Sequence, residues 1–144
     1  MNLFVCQVCG HIEFNAAPDN CPVCWAPKEK FTQNNDVFKE SAEKSPEAGV
    51  KHQPKLSVEK ECSMFEGTEC IKVAARIGET VHPMEEKHFI QWVDFYVDEK
   101  FVKRAMMTPS VFPGAAAHLK VTGKKVTVVE RCNLHGWWSA EAAL

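Results

Sequence analysis

Four cysteines in the first 24 residues constrain this chain more than any other feature. They form two C-x-x-C pairs, Cys6-Gln7-Val8-Cys9-Gly10 and Cys21-Pro22-Val23-Cys24. Two residues between cysteines let a tight turn aim both sulfurs at one ion, and two such knuckles complete a tetrahedral sulfur site. Gly10 can take the positive φ that turns backbone N–H groups toward a thiolate, and Pro22 stiffens the second knuckle. Phe4, Phe14, Trp25 and Phe31 are available as a small apolar cover. So short a unit has too little core to fold alone, so metal binding is expected to supply much of its folding free energy. A sulfur tetrahedron suits zinc as well as iron, and the spacing leaves the metal open.

The seven cysteines are an odd number, which argues against a closed disulfide framework. Nothing at the start of the chain reads as a basic segment followed by a long apolar one, so a cytoplasmic protein with reduced thiols is expected. A net charge of −2 gives no electrostatic support for nucleic-acid or anionic-membrane binding. No apolar run approaches the roughly 18 residues of a membrane helix.

The expected division is a metal unit at 1–36, a linker at 37–50 and a larger domain at 51–144. The linker is polar and charged, with a short helix expected around Val37–Lys44. The texture then changes to short strands: Leu56–Cys62, Glu69–Ile77, Phe89–Val97, Phe101–Met107, Ala116–Thr122 and Lys125–Arg131. Phe65-Glu66-Gly67-Thr68 reads as a hairpin turn and Gly123 marks another. Strands at this spacing imply a mainly β protein built on an antiparallel sandwich. Cys62 and Cys70 would face each other across the first hairpin, as a redox pair or as two unpaired thiols near the core.

The histidines carry the second signal. A lone histidine is more often a surface or satisfied core residue than a ligand. Here, however, His82 and His88 bracket a short loop before a strand, and Cys132-x-x-His135 forms a turn after one. His52 precedes a proline in a segment expected to be extended, and loops on a rigid sandwich can bring these pieces together. His11 and His118 match neither pattern and read as structural, and Trp137 and Trp138 read as core.

Two resemblances add to this reading. Cys6-Gln-Val-Cys-Gly with Cys21-Pro-Val-Cys-Trp-Ala-Pro-Lys-Glu-Lys-Phe31 resembles the rubredoxin-like domain of rubrerythrins. That likeness implies that Cys6, Cys9, Cys21 and Cys24 bind one electron-carrying iron. Lys51-His52-Gln53-Pro54, His82-Pro83-Met84-Glu85-x-x-His88-x-Ile90-x-Trp92 and Cys132-Asn133-Leu134-His135-Gly136-x-Trp138 resemble the three signatures of the superoxide reductases, the desulfoferrodoxin and neelaredoxin family. This likeness implies an immunoglobulin-like sandwich with a second iron held by His52, His82, His88 and His135 equatorially and Cys132 axially. It leaves a sixth position open, where superoxide is reduced to hydrogen peroxide. It also implies that Lys51 assists catalysis, that a rubredoxin-type protein donates electrons, and that the chain is a homodimer or homotetramer.

Two departures stand out. Val50 occupies a position where the family often has glutamate, and the N-terminal unit has Cys21-x-x-Cys24 where two-iron members usually have adjacent cysteines. The other readings are a closed, non-catalytic electron carrier and a non-haem iron oxygenase. The oxygenase usually wants two histidines and a carboxylate, which four histidines and a cysteine contradict.

Overall fold

The computed structural model describes all 144 residues apart from the side chain of Glu47. Strands β1 (Leu3–Cys6), β2 (Ile12–Phe14) and β3 (Phe31–Gln33) form a small antiparallel sheet in the order β2-β1-β3. Helix α1 (Val37–Lys44) follows, as expected, and then the one-turn helix α2 (Gly49–His52). Seven further strands build two antiparallel sheets. β4 (Pro54–Glu59), β5 (Ile71–Ile77) and β8 (Gly114–Leu119) form one, in the order β4-β5-β8. β6 (Ile90–Val97), β7 (Lys100–Met106), β9 (Lys125–Cys132) and β10 (Gly136–Ala143) form the other, in the order β10-β9-β6-β7.

Period-two alternation explains how the layers stack. On β6, Val93, Phe95 and Val97 point into the core between the two large sheets, against Val126 and Val128 of β9 and Val73, Ala75 and Ile77 of β5. The opposite face of β6 carries Trp92, Asp94 and Tyr96, all buried. Trp92 and Tyr96, with Val129 of β9, pack against Leu3, Val5, Ile12 and Phe14 of the N-terminal sheet and Val37 of α1. The small sheet therefore borrows its core from the outer face of the sandwich. At about 1.5–3 kcal/mol for each large side chain fully buried, this shared cluster gives the unit a source of folding free energy besides metal.

The structure differs from the sequence reading in several places. β4 stops at Glu59, and Lys60–Cys70 form a longer connection containing a 3-10 turn at Ser63–Phe65 instead of a tight hairpin at Phe65–Thr68. His52 closes α2 instead of lying in an extended segment. β10 was not anticipated: Ala140-Glu141-Ala142-Ala143 favours helix locally, but eight residues of pairing with β9 override that preference. Trp25 does not cover the N-terminal unit and stands 77% exposed. Nor is 37–50 a free tether, because Val37 and Ser41 of α1 are buried. The Ser41 hydroxyl accepts a hydrogen bond from the Trp137 N–H at the start of β10.

Candidate metal centres

The two cysteine knuckles are built alike. Cys6 N–H donates to the His11 carbonyl and Gly10 N–H to that of Cys6; Cys21 N–H donates to the Ala26 carbonyl and Trp25 N–H to that of Cys21. Both turns need a left-handed residue, Gly10 at φ 78° and Trp25 at φ 65°. At the first, a side chain would also press on Arg131 and Trp92, within 3.4 Å of a Cβ placed there. The sulfurs of Cys6 and Cys24, and those of Cys9 and Cys21, lie 3.6 Å apart, and all four ligand atoms fall within 4.8 Å of one another. A tetrahedron with metal–sulfur bonds near 2.3 Å has edges of about 3.8 Å, so this set is metal-sized.

A buried seam fastens this unit to the sandwich. Asp94 accepts hydrogen bonds from Arg104 Nε at 2.6 Å and Nη2 at 2.8 Å. Its Oδ2 lies 3.0 Å from His11 Nδ1, and Glu13 takes the other ring nitrogen at 2.8 Å. Burial acts to lower the pKa of His11, but these hydrogen bonds and carboxylate charges together hold it above the ordinary value. His11 is structural, as expected, clasped between the Asp94 and Glu13 carboxylates. Arg104 also donates to the Cys9 carbonyl, the Tyr96 hydroxyl to the Ile12 carbonyl, and Trp137 Nε1 to the Gly10 carbonyl at 2.9 Å.

At one end of the sandwich four imidazoles form a square. Ring centroids are 4.5 Å apart for His52–His82, 4.7 Å for His82–His88, 5.0 Å for His88–His135 and 4.9 Å for His135–His52. Neighbouring rings stand at 71–79° to each other, while the diagonal His52–His88 pair, 6.2 Å apart, is only 30° from parallel. Cys132 is fully buried, and its sulfur lies 3.7 Å from His135 Nδ1. One ligand atom from each of His52, His88, Cys132 and His135 falls within a mutual 4.8 Å. The sulfur thus lies within reach of three of the four corners at once. His82 joins the array through its Nε2, 3.0 Å from His52 Nε2.

Local bonds decide which nitrogens face inward. His52 Nδ1 donates to the Ala48 carbonyl at 2.7 Å and His82 Nδ1 to that of Pro83 at 2.6 Å, leaving both Nε2 atoms toward the centre. His88 Nε2 is buried without a partner, and His135 presents Nδ1 to the Cys132 side. Burial lowers the pKa of His52 and His82 to about 4, so both rings are neutral near pH 7. Two neutral acceptors 3.0 Å apart cannot hydrogen-bond, and their lone pairs repel. A cation between them removes the conflict, and this is the plainest sign that the residues fit a metal.

Several supporting residues escaped the sequence reading. Asn133 accepts from the Phe89 N–H and donates to the Lys87 carbonyl, tying the Cys132–His135 turn to the His88 loop. Trp138 is buried as expected, and it also stacks on His52 at 5.1 Å. Gly78 lets α2 approach, since any side chain there would meet the Lys51 carbonyl at 2.5 Å. Glu130, two residues before Cys132, is buried with neither carboxyl oxygen partnered, and burial holds its pKa well above the ordinary value. Burial also raises the Cys132 thiol, opposed by the backbone N–H groups of Leu134 and His135. Lys51 and Val50 are exposed beside the array.

Fold and site define a β-sandwich that presents a four-imidazole, one-thiol cluster and carries a sulfur-knuckle unit on its outer face. The desulfoferrodoxin family profile matches residues 42–141, and that of the rubrerythrin rubredoxin-like domain matches 4–32. The chain belongs to the desulfoferrodoxin family. It is 33% identical to the desulfoferrodoxin of Desulfarculus baarsii over 98% of this chain and 96% of that protein. Among solved structures, the superoxide reductase from Nanoarchaeum equitans is 33% identical, with a TM-score of 0.52 over 66% of this chain and 94% of that one. That from Treponema pallidum is 26% identical, with a TM-score of 0.53 over 65% and 66%. Among the described residues, no helix is long and apolar enough to cross a membrane.

Proposed function

We infer that this chain is a superoxide reductase, which combines superoxide with one electron and two protons and releases hydrogen peroxide. Nε2 of His52, His82 and His88, Nδ1 of His135 and the Cys132 thiolate would hold the catalytic iron. Cys6, Cys9, Cys21 and Cys24 would hold a second iron that carries electrons. The observation behind this reading is four imidazoles gathered around a buried sulfur, with the Nε2 atoms of His52 and His82 in mutual conflict and His88 Nε2 buried without a partner.

When bound, ferrous iron supplies the electron and an electrophilic position for an anion. The residues tune that position. Neutral imidazoles and a single thiolate leave a divalent centre with net positive charge, which favours an anionic substrate. The Leu134 and His135 N–H groups favour the thiolate over the thiol. Burial pushes the Glu130 carboxyl toward its neutral form, which weakens the charge it sets against the Cys132 thiolate. Lys51 at the exposed rim draws the anion in and offers an ammonium N–H to the oxygen that must be protonated. Val50 places no carboxylate there to compete.

The test is stoichiometry. Pre-reduced protein given superoxide should form one peroxide per superoxide consumed and release no dioxygen. Dioxygen evolution would mean dismutation and would remove the reductase reading. Metal analysis with visible and spin-resonance spectra separates iron from zinc in each centre.

A further inference from the structure

At the far end of the three-stranded sheet lies another cluster that neither proposed iron uses. Cys62 follows β4, Cys70 precedes β5 and His118 lies on β8. Its Nδ1 is 2.8 Å from the Cys62 sulfur and 3.7 Å from the Cys70 sulfur, and the three ligand atoms fall within 4.8 Å of one another. The separation from the imidazole square is about the length of β4, roughly 20 Å for its six residues.

We propose that Cys62, Cys70 and His118 form a third metal site, for a thiophilic d10 cation such as Zn2+, with its fourth position open to solvent. Three observations carry it. A single proton or lone pair on His118 Nδ1 can at best be split unequally between sulfurs at 2.8 and 3.7 Å, whereas one cation can be shared fully by all three atoms. Two thiolates and an imidazole are a ligand set that zinc accepts with a solvent molecule as fourth partner. The cluster also has the setting of such a site. Cys70 is buried, Phe65 packs edge-on against His118 at 5.6 Å, and the open side faces a cleft of about 1040 Å³ lined by Cys62, Lys72 and His118. The ion would pin the 60–70 connection to the sheet at two points.

Both cysteines are free thiols in this structure, so a Cys62–Cys70 disulfide is the competing chemistry. The test uses anaerobic, fully reduced holoprotein with both proposed iron centres loaded, and Co2+ as the probe. One further equivalent of cobalt per chain should bind, with a sulfur-to-cobalt charge-transfer band that Zn2+ abolishes. Cys62→Ser and His118→Gln should each weaken that binding by about 100-fold or more while leaving iron content unchanged. If Cys62→Ser does not fold, thiol labelling decides: Zn2+ should protect two thiols in the unmodified chain and fewer in His118→Gln. Lack of a third equivalent, or its survival in both variants, would overturn the proposal. So would recovery of a Cys62–Cys70 disulfide under these reducing conditions.

Discussion

The two proposed iron centres are assembled by opposite means. The sulfur set draws all its donors from Cys6–Cys24, and its turns are closed by bonds within each knuckle. The imidazole square draws on positions 52 to 135: β4–β5 pairing brings His52 beside the segment leading to His82, β6–β9 pairing brings His88 beside Cys132 and His135, and all four imidazoles meet only when both large sheets stack. Dependence on packing runs the other way. The locally built centre rests on a core shared with β6 and β9, whereas the dispersed one stands on the sandwich's own interior. Locality of the ligands and independence of the fold are thus separate properties.

The sharpest way to break this comparison is to remove a ligand from each side. Cys132→Ser should abolish the fast reaction of reduced protein with superoxide, a loss of about 100-fold or more. Cys24→Ser should empty the sulfur site yet leave that first reaction within about threefold, measured by pulse radiolysis on pre-reduced protein. A collapse in the second variant would mean that the N-terminal unit does more than relay electrons.

Next comes the seam. Asp94→Ala leaves Arg104 and His11 buried without their shared carboxylate and should cost about 3–5 kcal/mol in denaturant unfolding. Metal content of the imidazole site should stay full in the folded fraction. Equal loss from both sites would show that the two regions fold as one.

Acidity should separate the regions by sign. In metal-free protein, His52 and His82 titrate near 4 when folded and near 6.5 when unfolded. Their contribution is complete above 6.5 and lost as pH falls toward 4, at up to about 3 kcal/mol per ring. The folded pKa of His11 is raised, so its contribution is complete below 6.5 and lost as pH rises through the folded value. Chemical unfolding across pH 4–9 should therefore show an acid limb that disappears in His52→Ala and an alkaline limb that disappears in His11→Gln. Last and smallest, Lys51→Ala should slow the bimolecular reaction by roughly threefold to tenfold and flatten its salt dependence. An unchanged rate at low ionic strength would reject steering.

The sequence made the cysteine knuckles plain because spacing and turn residues lie side by side there. The sandwich showed through β-branched alternation, except at β10, whose alanines hide a strand held by its partner. The grouping of His82 with His88 and of Cys132 with His135 hinted at the square, but the full five-residue set came only from motif resemblance, because nothing local in His52 or His82 records that their rings meet at 3.0 Å. Asn133 and Glu130 were hidden for the same reason: their importance lies in what surrounds them. His118 looked solitary because its two cysteine neighbours arrive from other elements.

The seam has a consequence for anyone treating the N-terminal unit as an interchangeable cassette. Trp92, Asp94, Tyr96, Arg104 and Trp137 belong to the sandwich by chain position, yet each packs against or hydrogen-bonds the first 14 residues. A transplant that moved only the knuckles would leave a buried carboxylate, a guanidinium and an indole facing water. The transferable part is therefore the sheet face together with the knuckles, an inheritance unit that crosses the apparent domain boundary.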